Sequence, residues 1–401
     1  MSKNRWLLPN GIDELVSDQA RGLEALRRDL LDLFDSWGYD LVFPPIIEFT
    51  DSLLTGLGES LGMQTFKFSD HQSGKSLGLR ADISPQAARI DAHSMSYGGA
   101  NRLCYAGTIV RSNPGGGALN RAPVQIGAEL FGIKEIEADF EIISLMLTCL
   151  TRVAEKGITL EVSHQAIRGW LQEVAANTGL DFETLCTLLS EKRLPELDAY
   201  LARSDINSAA SKKLSQLPRL MGDIELLPVA RKTFAQDLVV LKAIEDMEML
   251  SARIGSQYPE VDLLFNLSEI QGSDYHTGLL FSAYSELDNR AVRVANGGRY
   301  DEVGQAFGRS RPATGFSADL KVLAQLMDAE MSGNDVIYAP VPDGAATADT
   351  MEGFWQKVAE LRDQGFRVRL GYPSESKNLS EYPLSQKLVA NNGDWILVDF
   401  E

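Results

Sequence analysis

This sequence has few of the side chains from which metal sites and disulfide frameworks are built. Its 401 residues include 3 cysteines and 4 histidines. Cys104, Cys149 and Cys186 are far apart and form no CxxC pair, and the histidines form no HxxxH or HExxH pair. These spacings argue against a structural or catalytic zinc site. They predict reduced core thiols, as in a cytosolic protein.

Long apolar runs and an excess of basic residues are also absent. No uninterrupted apolar stretch approaches the roughly 18 residues of a membrane-spanning helix. The N-terminal segment lacks the apolar region and cleavage site of a signal peptide. We therefore expect a cytoplasmic protein that does not enter a membrane. The 38 Lys and Arg are outnumbered by 56 Asp and Glu, which argues against nucleic-acid binding but leaves room for a local basic face.

The length predicts two or three domains. We expect a core formed by residues 1–164 and 259–332, a helical insertion at 165–258, and a small C-terminal α/β unit at 333–401. The insertion is rich in Leu, Ala, Lys and Glu at helical spacing, and strand signals return after it. The last segment is predicted to be strand, helix, strand, loop and strand. The glycines of Asn296–Tyr300 predict a turn.

A first polar cluster, Arg80, Asp82 and Ser84, lies between a strand-like run and a helix-like run. Its carboxylate and hydroxyl are suited to binding an amine. Asp82 or Ser84 could equally cap the following helix by accepting backbone N–H bonds. The motif alone favours the cap.

A second cluster lies on the predicted strand Val124–Phe131. Side chains alternate along a strand, so Gln125, Gly127 and Glu129 share one face and apolar residues take the other. Alone, this pattern favours the edge of a sheet facing water. A third cluster, Glu269–Gly278 with Ala295–Asp301, places polar, aromatic and glycine residues at strand ends, where a pair of ordinary turns is the alternative to a site.

Together, the order and spacing of these motifs resemble the catalytic core of histidyl-tRNA synthetase, a class II aminoacyl-tRNA synthetase. The resemblance spans residues from about 5 to 325, and the shared order carries it, since each motif alone is weak. The matching segments are Phe43–Glu48 for motif 1, Leu79–Ser84 for LRPEGT, Val110–Glu129 for motif 2, Gln271–Gly278 for RGLDYYTG and Asn296–Asp301 for GGRYD. The resemblance implies an α+β fold: an antiparallel sheet core, a helical insertion and a small C-terminal α/β unit. It also implies a homodimer formed through the motif 1 region.

The same resemblance implies a pocket for histidine. Its residues would be Asp82, Ser84, Gln125, Glu129 and Tyr275, with Arg111, Gln271 and His276 near them. Asp82 and Ser84 keep a carboxylate and a hydroxyl for the ammonium of the ligand. Glu129 would accept a hydrogen bond from the imidazole N–H. His276 replaces the second tyrosine of the family's motif. No catalytic residue, metal ion or cofactor is expected.

Two arginines that the synthetases use are missing. Gln271 stands where an arginine holds the histidine carboxylate, and Val322 stands where the motif 3 arginine clamps the γ-phosphate of ATP. Asn113–Gly116 also replaces the ERPQ that follows Arg111. Because phosphoryl chemistry depends on such cationic clamps, we do not expect the chain to form an adenylate. Residues 335–401 are short for the family's anticodon-binding domain, which argues against tRNA recognition.

A retained histidine pocket without these arginines resembles the regulatory subunits of ATP phosphoribosyltransferase, which are synthetase paralogues. Leu8–Asp13 and Leu79–Gln86 fit that family better than the true synthetases. The resemblance implies a non-catalytic subunit that activates the short-form catalytic subunit in the first step of histidine biosynthesis. It would transmit feedback inhibition by histidine within a hetero-octamer. The alternatives are an active histidyl-tRNA synthetase, a synthetase paralogue modifying another substrate, and a stand-alone binding module.

Overall fold

The chain divides into two compact units. A computed structural model describes residues 7–55, 59–95, 98–113, 120–154, 157–203, 206, 208–269, 275–327, 336–343, 346–372, 384–391 and 394–400. The first unit comprises Met1–Leu15 and Arg21–Met327, and the second comprises Val16–Ala20 and Asp328–Glu401.

Both units contain helices and strands. The helices are α1 Ser17–Ser36, α2 Thr50–Leu53, α3 Glu59–Gln64, α4 Ser84–His93, α5 Ile136–Val153, α6 Ala166–Thr178, α7 Phe182–Ser190, α8 Leu194–Ala202, α9 Ser208–Gln216, α10 Leu226–Thr233, α11 Leu238–Gln257, α12 Leu320–Leu326 and α13 Ala348–Asp363. The strands are β1 Asp40–Leu41, β2 Ile47–Phe49, β3 Lys67–Ser69, β4 Ser76–Leu79, β5 Asn101–Thr108, β6 Val124–Phe131, β7 Thr159–His164, β8 Met221–Gly222, β9 Asp262–Asn266, β10 Leu279–Leu287, β11 Arg290–Arg299, β12 Ala313–Asp319, β13 Val336–Pro340, β14 Arg367–Gly371, β15 Leu384–Asn391 and β16 Asp394–Asp399. Among the described residues, no helix is both long enough and apolar enough to cross a membrane.

The first unit is built around a sheet of nine described strands in the order β1-β5-β6-β12-β11-β10-β7-β9-β8. The run from β5 to β7 is antiparallel throughout. β1 joins β5 in parallel, and β9 joins β7 in parallel. The predicted antiparallel core is therefore confirmed at the centre, while the parallel neighbours make the whole sheet mixed. A smaller antiparallel sheet has the order β2-β4-β3.

Apolar helix faces hold this sheet in place. In α1, Leu26, Leu30 and Leu33 recur at helical spacing and are buried, and Gly38 at φ +81° follows the end of the helix. The apolar helix α5 packs against β6 and β12. These side chains form one buried cluster with those of the strands. The core thus fixes β6, which carries Gln125 and Glu129, and its neighbour β12.

The second unit has one sheet in the order β14-β13-β15-β16, packed on α13. Phe354, Val358 and Leu361 of the helix meet Ile337 and Leu388 of the sheet. Two antiparallel strands, β15 and β16, come after β14, where the sequence predicted a single further strand. The hairpin was missed because its strands are separated by only a short polar stretch.

The segment Asn296–Tyr300 is not the predicted turn, because β11 continues to Arg299 and pairs with both β10 and β12. Its glycines permit close strand approach: a Cβ on Gly297 would lie 2.6 Å from the Phe281 ring, and one on Gly298 would lie 2.7 Å from His276. Glycine within a strand often marks such a close approach. The turn prediction was wrong because it weighed glycine only as a turn former.

Candidate functional site

A buried carboxylate, Glu129, lies on β6 in the interior of the large sheet. Its side chain is 1% exposed. Oε1 accepts a hydrogen bond from the Tyr105 hydroxyl at 2.9 Å, and Oε2 accepts one from the Tyr300 hydroxyl. Gly315 is the partner of Glu129 in β12, and a Cβ there would overlap with the carboxylate. Two tyrosines and one glycine therefore fix the position of this acid.

Burial raises the pKa of Glu129 from its ordinary 4.5 to about 7. The hydroxyls of Ser84, Tyr300 and Tyr105 act in the opposite direction and lower the pKa, because they stabilise the ionised form. The nearby charge of Asp82 raises it further. The carboxyl consequently titrates near neutral pH.

Asp82, Gln125 and Ser84 form a connected group beside Glu129. Gln125 is 5% exposed, donates from Nε2 to Asp82 Oδ1 at 2.8 Å, and accepts from the Ile83 N–H at 2.9 Å. The Ser84 N–H donates to Asp82 Oδ1 at 3.2 Å. The residue before α4 is Ile83, which has no side-chain cap bond. Asp82 thus supports the start of the helix and also holds the Gln125 amide.

Arg111 lies against the same segment. Its Nε donates to the Ala81 carbonyl at 3.2 Å, and its backbone N–H donates to Arg121. The first bond places the Arg111 side chain beside Ala81, the residue that precedes Asp82 in the chain. It connects the segment after β5 to the loop that leads into α4.

Tyr275 and His276 lie on the other side of Tyr300. The Tyr275 ring meets Tyr300 edge-on with centroids 5.9 Å apart, and its centroid is 4.7 Å from that of His276. Both rings line a cavity of about 360 Å³ with Thr277, Glu302, Val303, Gln305 and Ala306. Glu129 is not among the residues that line this cavity. Gln271 lies outside the described residues.

The structure therefore brings Asp82, Ser84, Gln125 and Glu129 together through hydrogen bonds, and Tyr275 approaches them through Tyr300. The alternative that β6 is an edge strand facing water is wrong, because β6 lies between β5 and β12.

Val322 lies on α12 and packs against the main apolar core. Residues 114–119, which include three of the four residues of the Asn113–Gly116 stretch, lie outside the described residues.

Two tyrosines of this cluster were missed by the sequence reasoning. Tyr300 belongs to a motif that the sequence singled out but was given no role. Tyr105 pairs with Gly127, and a Cβ on Gly127 would lie 2.6 Å from its hydroxyl oxygen. The available signal was that glycine, which lies between Gln125 and Glu129 and leaves room for a large side chain of the neighbouring strand.

The described residues contain no group of three or more His, Cys, Asp or Glu side chains placed to hold a metal ion. Cys104, Cys149 and Cys186 are buried and free of disulfides, as predicted. Burial raises the pKa of the Cys104 thiol to about 12, which keeps it unreactive.

Comparisons with known proteins agree with this architecture. The family model for histidyl-tRNA synthetase matches residues 11–323, and the model described as ATP phosphoribosyltransferase subunit HisZ C-terminal domain matches residues 335–398. Among solved structures, an ATP phosphoribosyltransferase regulatory subunit/histidyl-tRNA synthetase from Bacillus halodurans has a TM-score of 0.80 at 23% identity, covering 95% of this chain and 97% of its own. A histidyl-tRNA synthetase from Nostoc has a TM-score of 0.75 at 14% identity, covering 98% and 97%. These likenesses show the fold.

Relatives of higher identity identify the family. The ATP phosphoribosyltransferase regulatory subunit of Teredinibacter turnerae is 43% identical over 374 residues, which is 92% of this chain and 93% of the relative. The protein of the same name from Chromohalobacter salexigens is 41% identical over 395 residues, covering 98% of each. The chain therefore belongs to the family of ATP phosphoribosyltransferase regulatory subunits.

Proposed function

We propose that this chain binds free histidine as a feedback effector and passes the signal to a short-form ATP phosphoribosyltransferase catalytic subunit, which it also activates. The reaction concerned is the first step of histidine biosynthesis, in the cytoplasm. Effector control requires that histidine bind with different affinity to the active and inhibited assemblies. A coupling of about 1–3 kcal/mol is typical and sufficient.

The observation that carries the proposal is the clamped carboxylate of Glu129. Its two oxygens each accept one tyrosine hydroxyl, and each retains acceptor capacity, since an ionised carboxylate offers about four lone-pair sites. When it is ionised, a carboxylate held this rigidly is suited to one imidazole N–H. A ligand without that N–H would leave a buried charge poorly satisfied, which is a strong basis for discrimination.

The group formed by Asp82, Gln125 and Ser84 supports the other end of the proposed pocket. An α-ammonium carries three N–H donors and needs acceptors. Asp82 and Ser84 provide them, and Gln125 holds Asp82 in place at 2.8 Å. We assign Tyr275 to a wall of the pocket, with Arg111, Gln271 and His276 near the ligand.

The two positions at which the synthetases have arginine, Gln271 and Val322, favour a regulatory role over catalysis. Gln271 lacks the charge and the bidentate fork of an arginine. Val322 is apolar and contributes to packing of the core instead of facing a phosphate. Both substitutions remove cationic groups that adenylate formation would use, while the acids of the histidine pocket remain.

We further propose a homodimer formed through the motif 1 region, Phe43–Glu48, within a hetero-octamer that contains the catalytic subunit. Several large apolar side chains of this segment face outward, and Phe43 is 76% exposed. Exposed apolar clusters of this kind mark interaction surfaces. In the same proposal, residues 165–258 form a helical insertion and residues 333–401 a separate C-terminal domain.

Isothermal calorimetry with free histidine tests the proposal, on the full chain alone and mixed with a short-form catalytic subunit. Glu129→Gln keeps the shape of the side chain and removes its charge, so we expect about tenfold weaker binding. The matched control is Glu141→Gln, because Glu141 also accepts from a buried tyrosine, Tyr39, but lies outside the candidate site. Absence of histidine binding in both samples of the wild-type protein would reject the effector role. Histidine-dependent ATP–pyrophosphate exchange would instead support an active synthetase.

A further inference from the structure

A chain of hydroxyl groups joins the two ends of the candidate pocket. The Ser84 hydroxyl lies 3.1 Å from the Tyr105 hydroxyl, which in turn lies 2.9 Å from Glu129 Oε1. Tyr105 is fully buried, at 0% exposure, on β5, which lies between β1 and β6. Its position over Gly127 sets it between the acid that would meet the imidazole and the serine that would meet the ammonium.

The direction of these hydrogen bonds follows from the number of protons. A tyrosine or serine hydroxyl carries one proton, and an ionised carboxylate only accepts. When Glu129 is ionised, Tyr105 therefore donates its proton to it. Its oxygen is then the acceptor for Ser84, whose single proton is also used. Ser84 is left with lone pairs alone to offer to a ligand.

We infer that Tyr105 is a positioning residue: through it, the Glu129 carboxylate orients the Ser84 hydroxyl so that it acts as an acceptor for the ammonium of the effector. This inference rests on the proposed histidine pocket for its biological meaning. The hydroxyl relay itself is a property of the free protein. It makes the two ends of the pocket energetically dependent on each other, in addition to the direct effect of the Ser84 hydroxyl on the Glu129 carboxyl.

The relay predicts a specific pattern in the free protein. The Glu129 carboxyl is observed by ¹³C NMR of glutamate-labelled protein, and its signal is assigned by its loss in Glu129→Gln. In protein that retains Tyr105, Ser84→Ala should raise the pKa of Glu129. Without the Ser84 hydroxyl to donate to it, the Tyr105 hydroxyl becomes a weaker donor to the Glu129 carboxylate. In the Tyr105→Phe protein, the same Ser84→Ala change should have a smaller effect, because only the direct action of Ser84 on the carboxyl remains. An equal shift in both proteins would show that Ser84 acts on Glu129 only directly, and would overturn the relay.

The same logic applies to histidine affinity, measured by a double-mutant cycle of Ser84→Ala with Glu129→Gln. With Tyr105 present, we expect the two changes to be coupled by about fivefold or more in Kd, since charged hydrogen bonds are involved. With Phe at 105, the coupling should be smaller, because only the direct action of Ser84 on Glu129 remains. A coupling that Tyr105→Phe leaves unchanged contradicts the inference.

Two controls separate the relay from a general loss of packing. Tyr39→Phe removes another buried tyrosine–glutamate bond, Tyr39 to Glu141 at 2.9 Å, and should leave both the Glu129 titration and the cycle unchanged. Ser84→Thr keeps the hydroxyl and should retain the coupling. If wild-type protein fails to bind histidine, the proposed function fails, while the NMR pattern still decides the relay.

Discussion

The raised pKa of Glu129 makes the stability of this protein depend on pH in an unusual direction. Folding moves that pKa from its ordinary 4.5 to about 7 because burial penalises the charge. The folded state therefore holds the proton more tightly than the unfolded state. The stabilisation from this group is fully present below pH 4.5 and is lost as the pH rises through about 7.

The magnitude follows from the interval between the two pKa values. Each pH unit is worth about 1.4 kcal/mol, so the whole interval corresponds to roughly 3 kcal/mol of unfolding free energy. The glutamine of Glu129→Gln does not ionise, so the variant should not lose this unfolding free energy as the pH rises. Between pH 5 and pH 8, the stability of the variant relative to wild type should rise by roughly 2–3 kcal/mol.

Urea denaturation of both proteins at pH 5 and pH 8 measures this change, and the contributions of other titrating groups cancel in the difference. Glu141→Gln is the control. Burial raises the pKa of Glu141, but hydrogen bonds from Arg102 and Tyr39 outweigh it, so the pKa is lowered overall. The linked stability of Glu141 therefore changes in acid, below pH 4.5, and its variant should show a constant difference from pH 5 to 8. A constant difference for Glu129→Gln as well would refute the assignment of Glu129 as a buried acid that titrates near neutrality.

Three further changes test the fold around the site. Gly315→Ala would place a Cβ into the Glu129 carboxylate and should destabilise the protein by roughly 3–5 kcal/mol. The control is Gly169→Ala, which lies in open space on α6 and should stabilise the protein by about 0.5–1 kcal/mol. Equal melting temperatures for the two variants would contradict this prediction. Arg299→Met leaves the buried Asp139 without its 2.7 Å partner and should cost about 3–5 kcal/mol in urea denaturation, and addition of Asp139→Asn should restore part of the loss. Phe43→Asp should weaken self-association by about tenfold or more in sedimentation velocity while leaving the melting temperature near that of wild type; an unchanged dimer constant would remove this segment from the proposed interface.

The family and the fold class could be predicted because motif order over about 320 residues constrains both. The regulatory assignment is confirmed by the names of the close relatives. It rested on Gln271 and Val322, where a charge required for catalysis is missing, together with the altered stretch Asn113–Gly116 and the segments Leu8–Asp13 and Leu79–Gln86. Such a prediction needs only residue identity at aligned positions, and no knowledge of packing.

What could not be predicted depends on contacts between strands distant in sequence. Tyr105 meets Glu129 only because β5 pairs with β6 in one register, and Tyr300 reaches it from the end of β11. The sequence shows the alternation of β6 but not which strands flank it. For the same reason it favoured an exposed edge for Glu129, and it assigned Asn296–Tyr300 to a turn although those glycines make room for Phe281 and His276.

The near-complete enclosure of Glu129, at 1% exposure, has a consequence for rates. A dissolved ligand cannot touch this carboxylate until the surrounding side chains open, so association must wait for a fluctuation of the protein. At high ligand concentration, the observed association rate should reach a plateau set by the opening step instead of rising linearly. The measured affinity would then be lower than the intrinsic affinity by the fraction of molecules that are open. A change far from Glu129 that favours opening would strengthen binding without adding a single contact to the ligand.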